Sequence, residues 1–293
     1  VILDLKGRKR EDFFHYDYIS SPIVYPGQNI KAQIKNTSSK SLQIKLFIKY
    51  WGANDELTKI SSDIFEFKDN EEKILDWKIP STDNDPIGQV GISMISKEKS
   101  DGSIILNYLT FYGEASQIFR RPKHIEEYIR GVDSKDGYYG QIWRNAWVQA
   151  LDKWEERGKN FRICQNIGRG IIYTGTEVWK NYSISSKITF QSVSSGGLVA
   201  RVQGVKRYYS FEFNSDNTLC IGKMFYDYKV LKKVDFNVEF FKEYSLKLEI
   251  KNNKIKGYVD QRLILEVEDN DNFIENGGSG LTVSDGTLVS EEV

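Results

Sequence analysis

Apolar and polar residues alternate one for one along most of this chain. In SLQIKLFIKYW, Leu42, Ile44, Leu46 and Ile48 fall on one side and Gln43, Lys45 and Lys49 on the other, as a strand with one wet face requires. NIKAQIKN, DIFEF, EKILDWKI, QVGISMIS and SIILNYLTFYG repeat the pattern between Asn29 and Phe111, divided by turn residues such as Asn70, Asp83, Asn84, Pro86, Asp101 and Gly102. Short strands at that spacing predict a β-sandwich. The pattern breaks from Gln117 to Arg130, where Arg120, Arg121 and Lys123 surround Pro122 and HIEEYIR sets Ile125 and Ile129 four apart. Pro122 suits the first turn of a short helix and Gly131 its end, and GVDSKDGYYG reads as a loop. Alternation then returns in YSISSKITF, GGLVARVQG, RYYSFEF, TLCIGKM, EYSLKLEI, KIKGYVD, LILEVED and GLTVS, which predicts a second and larger antiparallel sandwich. The expected organisation is all-β: an N-terminal jelly-roll sandwich over 1–116, a linker with a short helix over 117–140, and a second sandwich over 141–293.

Within the second region, face assignment singles out a group of side chains. Strand alternation puts Leu198, Ala200 and Val202 opposite Val199, Arg201 and Gln203, and puts Tyr209, Phe211 and Phe213 opposite Tyr208, Ser210 and Glu212. If the two strands form a hairpin through Gly204, Arg201, Gln203, Tyr208 and Glu212 share one surface, a chemistry suited to a hydroxyl-rich ligand. The competing expectation is an Arg201–Glu212 cross-strand ion pair on a wet face, worth about 0.2 to 1 kcal/mol. Trp179, in GTEVWKNY, joins the group as a candidate stacking platform, although for it, as for Trp143 and Trp147 in QIWRNAWV, a core or seam position is the plainer expectation.

Other chemistry finds little support. The two histidines, His15 and His124, neighbour no nucleophile motif such as GxSxG. LEVEDND sets Glu266 and Glu268 on one strand face, as the acid and nucleophile of a sandwich glycosidase would be, but no Trp flanks them, and a solvated edge opposite Leu265 and Val267 is the plainer expectation. QNIGRG and SSGG lack the order of a phosphate loop and are placed between strands. NDPIG and DNDN are acid-rich turns able to hold a structural Ca²⁺, without the ligand spread of an EF-hand. No other cofactor is expected. Cys164 and Cys220 have no zinc-ligand spacing and read as reduced, mostly buried thiols.

Composition narrows the function classes. Lysine plus arginine balances aspartate plus glutamate at 41 each, without the basic excess that holds a protein on phosphate backbones, so nucleic acid is not expected as a partner. No apolar run approaches the roughly 20 residues that cross a bilayer, and VILDLKGRKREDFF becomes charged too soon for a signal peptide, which points to a cytoplasmic chain away from membranes. Opening on Val1 and closing on VSEEV, the sequence reads as a fragment whose upstream partner is missing.

DPIGQVGISMIS, DGSIILNYLTFYGEA, IFRRP, IWRNAWV, RICQNIGRG and GTEVWKNYSISSKITF together resemble the accessory region that follows the catalytic domain in some bacterial ADP-ribosylglycohydrolase-type proteins, from about Pro80 to the end. GGLVARVQGVKRYYSFEF, GYVDQRLILEVED and GGSGLTVSDGTLVSEEV are similar to concanavalin-like, laminin G-like carbohydrate-binding sandwiches, including the levan-binding type, and DGSIILNYLTF is similar to the closing strands of galactose-binding-like jelly rolls. The resemblance implies two sandwich modules attached to a hydrolase. It supplies no catalytic residue, because that family's Mg²⁺-binding helical domain has no counterpart here. The expectation is a non-catalytic segment that binds a carbohydrate or ADP-ribose-like ligand for an upstream hydrolase domain. The alternatives are a glycosidase using Glu212, Glu266 or Glu268, and a purely structural or oligomerisation module.

Overall fold

A computed structural model describes residues 2–4, 23–52, 56–95, 103–123, 141–155 and 159–293. His15, His124 and nearly all of the helix expected from Pro122 to Gly131 lie outside them. The chain divides into two compact units, one of 1–117 with 121–146 and one of 118–120 with 147–293. Strands dominate both, as the two-residue period requires, and they pair antiparallel throughout.

The first unit is a sandwich of two sheets. One carries β1 (Ile2–Asp4), β7 (Ile87–Ile95), β3 (Leu42–Trp51) and β4 (Leu57–Ser61) in that order, with β5 (Phe65–Phe67) also on β3. The other runs β6 (Glu72–Lys78), β2 (Asn29–Asn36), β8 (Ile104–Tyr112). Burial along β2 alternates strictly, so Ile30, Ala32 and Ile34 meet Ile44, Leu46 and Ile48 from the facing sheet while the lysines between them stay at the surface. A short helix, α1 (Gln141–Asn145), belongs to this unit.

The second unit is one continuous ladder folded into two layers. Its path is β16 (Asp227–Asp235), β15 (Thr218–Phe225), β14 (Arg207–Asn214), β13 (Ser195–Gly204), β20 (Gly278–Ser290), β12 (Tyr182–Ser192), β17 (Glu243–Lys251), β18 (Lys254–Val259), β19 (Arg262–Glu268). The fold turns on β20, which pairs with β13 through Ser284 and with β12 from Thr287 onward. Alongside it runs β11 (Phe161–Thr174), which also carries the short strands β9 (Val148–Ala150) and β10 (Lys153–Glu155). Bulges between Gln165 and Arg169 and between Phe190 and Ser192 sit where these strands change layers, as corners of such sandwiches require.

Between the layers lies an aromatic and aliphatic core. Phe213 of β14 meets Phe190 of β12 at 4.9 Å and Tyr244 of β17 at 5.1 Å between ring centroids, both edge-on or tilted as ring quadrupoles prefer. Phe211 lies so close to Gly257 that a Cβ there would enter its ring. Trp147, Trp154 and Phe161 form a second cluster, joined by Phe119, whose backbone also exchanges two hydrogen bonds with Val293. Cys164 is half-buried, Cys220 is buried, and both are free thiols. Among the described residues, no helix is long and apolar enough to cross a membrane.

Candidate functional site

The face of β14 that carries Phe211 and Phe213 points into the core, so Tyr208, Ser210 and Glu212 lie on the face turned away from the second layer. That outer face is itself buried: Ile171, Val199, Val202, Tyr208 and Met224 cluster there, with Tyr173 and Tyr228 against them. At its centre Glu212 is fully buried, a position a carboxylate holds only when it is paired.

Its partner is Arg169, on β11. In the pairing register Glu212 stands opposite Gly197, Gly197 opposite Thr282, and Arg169 opposite Ser284 one repeat further along β20. The two charged residues are thus three strand spacings apart, about 14 Å across the sheet. Gly197 places no side chain between them. Arg169 crosses that distance and donates from Nη1 to Glu212 Oε1 at 2.5 Å, with its guanidinium 4.0 Å from the Tyr228 ring centroid. Tyr228, half-buried on β16, donates its hydroxyl to the same Oε1 at 3.1 Å and lies 3.1 Å from the Ser210 hydroxyl. Gly222 makes room for it, since a Cβ at 222 would run into the Tyr228 hydroxyl.

This leaves three buried polar atoms without an aligned hydrogen bond: Glu212 Oε2, the Tyr208 hydroxyl and the Ser284 hydroxyl. Arg169 and Thr282 lie near the Tyr208 hydroxyl without aligning on it. Burial pushes that phenol up to about 12, and it pushes the Tyr228 phenol upward further, with the Glu212 charge adding to it. Burial works against the Arg169 cation, but the Glu212 charge and hydrogen bond outweigh it, so its pKa is raised. The Cys220 thiol is raised by burial and then by Glu212. At neutral pH the cluster therefore holds neutral phenols and a cationic Arg169. Glu212 and Tyr208 are 0% exposed, and the cluster reaches solvent through the Arg169 side chain, 21% exposed, and half-buried Tyr228, so a ligand hydroxyl that donates to Oε2 and accepts from Tyr208 has to enter past them.

The structure brings together Tyr208 and Glu212 from the expected group and sends the others elsewhere. The β13–β14 hairpin through Gly204 forms, but its register shifts between Ala200 and Val202, and Arg201 sits in the bulge at φ +50°. The extra residue turns Val202 onto the outer face beside Val199 and turns Arg201 off it. Arg201 is fully buried, its Nε donating to Lys180 O, its Nη1 to Ile274 O, and its backbone N–H to the Tyr182 hydroxyl. The expected Arg201–Glu212 pair is replaced by Arg169–Glu212. Gln203 is exposed and donates its amide to Asn276. Trp179 is half-buried, 5.8 Å from the Tyr182 ring and packed against Gly175. Trp143 and Trp147 are buried.

Glu266 and Glu268 project from β19, at the end of the sheet path, and both pair with Lys254, at 3.1 and 3.3 Å. The Lys254 hydrogen bond holds Glu266 below the usual carboxylate range, the opposite of what a glycosidase acid needs. In the DNDN turn, the Lys223 ammonium meets Asp269 Oδ2 at 2.7 Å and the carbonyls of Asp271 and Asn272 at 2.5 and 2.9 Å. The NDPIG turn is closed by Thr82 Oγ1 donating to Asp85 O. Among the described residues, no three His, Cys, Asp or Glu side chains gather as a metal group.

No protein-family model and no curated protein matches the chain. Among solved structures, the carbohydrate-binding module CBM66 from Bacillus subtilis is similar, at 21% identity over 50% of this chain and 91% of that one, with TM-score 0.45. A Bacillus subtilis protein of unknown function with a galectin-like fold is similar at 8% identity over 50% and 86%, TM-score 0.40. The Caenorhabditis elegans galectin LEC-6 is similar at 9% identity over 50% and 92%, TM-score 0.33. At these scores and identities the likenesses say nothing of ligand or activity.

Proposed function

We propose that the second unit is a carbohydrate-binding module that holds a sugar without cleaving it, and that it serves as the accessory segment of a hydrolase. The observation that carries this reading is the buried, half-satisfied carboxylate: Glu212 Oε1 takes two hydrogen bonds while Oε2 takes none, beside an unpaired phenol and a cationic guanidinium. An orphaned buried acceptor costs about 1 to 3 kcal/mol, and a sugar hydroxyl, donor and acceptor at once, recovers that cost. The Glu212 carboxylate is locked to an arginine rather than set opposite a second carboxylate, which favours the binding reading over the glycosidase one. The hydrolase served is of the ADP-ribosylglycohydrolase type, and linkage to it raises the effective concentration of a weakly bound ligand. A ribosyl group offers the same vicinal hydroxyls, so ADP-ribose belongs in the test beside fructans and common oligosaccharides. The test is calorimetric titration of that panel against the chain and its Glu212→Gln variant. Binding by the wild type that falls at least tenfold in the variant supports the reading. Silence across the panel, or release of free sugar from any substrate, overturns it.

A further inference from the structure

At one end of the β13–β16 layer three turns converge around a strained aromatic residue. Tyr226 closes the β15–β16 turn at φ +66°, a conformation that disfavours a bulky L-residue and that glycine or asparagine adopts freely. Its backbone N–H donates to Lys206 O in the β13–β14 turn, while the residue stays 63% exposed. Strain and an exposed aromatic residue both work against folding; Phe241 shares them, at φ +63° and 75% exposed, and at Tyr226 they coincide with polar groups from two neighbouring turns. Around the ring stand planar polar groups. The Arg207 guanidinium lies 4.7 Å from the Phe225 ring centroid and 5.7 Å from that of Tyr226, and it reaches the Tyr226 hydroxyl and Gln203 Oε1 through long bonds of 3.3 and 3.4 Å. Such weak bonds exchange readily for those of a ligand. Gln203 is anchored by Asn276 from the β19–β20 connection.

We propose that this tip is a second sugar-contact subsite, in which a saccharide ring lies on the exposed Tyr226 face while Arg207 and Gln203 hydrogen-bond its hydroxyls. An aromatic face takes the C–H side of a sugar ring, and a guanidinium with an amide fixes vicinal hydroxyls in the same plane. The inference rests on the reading that the second unit binds sugars and adds that it takes a chain of them. Arg207 and Glu212 stand five residues apart on β14, about 16 Å at ~3.3 Å per residue and on opposite faces of the strand, so only a saccharide chain of several rings that rounds the tip of the sheet touches both.

The test compares Tyr226→Gly, Arg207→Gln and Glu212→Gln, in the full chain, against a monosaccharide and the matching oligosaccharide series. Tyr226→Gly relieves the left-handed strain, so its Tm should rise by about 2 to 4 °C. Its affinity for the longer oligosaccharides should fall about tenfold, with monosaccharide affinity unchanged. Arg207→Gln should reproduce the loss of affinity without the gain in Tm. A structural tyrosine could not give opposite signs in stability and binding. A Tyr226→Gly variant that is less stable, or that binds every oligosaccharide normally while Glu212→Gln loses binding, overturns the tip subsite and leaves the sugar-binding reading standing. A wild-type chain that binds no saccharide overturns both.

Discussion

Substituting Arg169 by methionine keeps most of the apolar stem and removes the charge, which isolates what the Arg169–Glu212 pair does for the outer face. In the wild type the Glu212 carboxylate is 0% exposed and receives Arg169 at 2.5 Å and Tyr228 at 3.1 Å on one oxygen. After the substitution a single phenol would hold a buried anion, and breaking one side of such a pair costs about 3 to 5 kcal/mol. Loss of the cation from the Tyr228 ring, at 4.0 Å, adds about 0.5 to 2 kcal/mol. The reverse change, Glu212→Gln, should cost less, about 1 to 3 kcal/mol, because Arg169 is 21% exposed and can recruit water. Combined as Arg169→Met with Glu212→Leu, the two should recover most of the loss, since well-packed apolar groups often replace a buried ion pair without penalty. Hydrogen–deuterium exchange of the full chain, read on peptides covering β14 and β15, reports the opening free energy of this face separately from the first unit. A coupling energy of roughly 2 kcal/mol or more is expected from the cycle. A single variant that loses under about 1 kcal/mol, with no recovery in the double, would refute the claim that this ion pair organises the face.

Two further outcomes follow from neighbouring contacts. Burial works to raise Asp269, but hydrogen bonds from Lys223, Tyr209 and the Asp271 backbone outweigh it and hold the carboxyl below its usual 3.8, so the stability it confers is complete above about pH 4. That contribution is lost as pH falls through the lowered value, and Asp269→Asn should flatten this acid limb in a pH series of thermal melts. Gly222→Ala places a methyl against the Tyr228 hydroxyl, and should cost about 1 to 3 kcal/mol in urea unfolding. The loss should shrink in a Tyr228→Ala background, and an equal loss in both backgrounds would place the clash elsewhere.

Strand content and face assignment were legible because they depend only on neighbours in sequence. The alternation in NIKAQIKN and EYSLKLEI is the burial pattern of β2 and β17, and in RYYSFEF, whose strand β14 is buried on both faces, the same period still separates Phe211 and Phe213 from Tyr208 and Glu212. That rule fails wherever a residue is inserted. At Arg201 one bulged residue reverses the faces for the rest of β13, so an arginine expected outside is buried and a valine expected inside joins the outer face. The QNIGRG segment carries the residues of a turn, yet it is a bulge inside the longest strand of the unit, and Arg169 sits at its end. The β-branched and aromatic residues on its two sides, FRIC before and GIIYT after, are the signal in the sequence that could have joined them.

Long-range pairing is what no local pattern carries. Glu212 finds Arg169 because β13 and β20 come between their strands, a strand order set by how two layers share one core. Lys223 reaches the DNDN turn for the same reason. By itself the sequence determined the all-β architecture and the faces of its regular strands, because hydrophobic burial acts residue by residue. Only the tertiary structure decided which charges meet and which aromatic ring is left in solvent, because those depend on register, bulges and closure of the sheet over distances of a hundred residues and more.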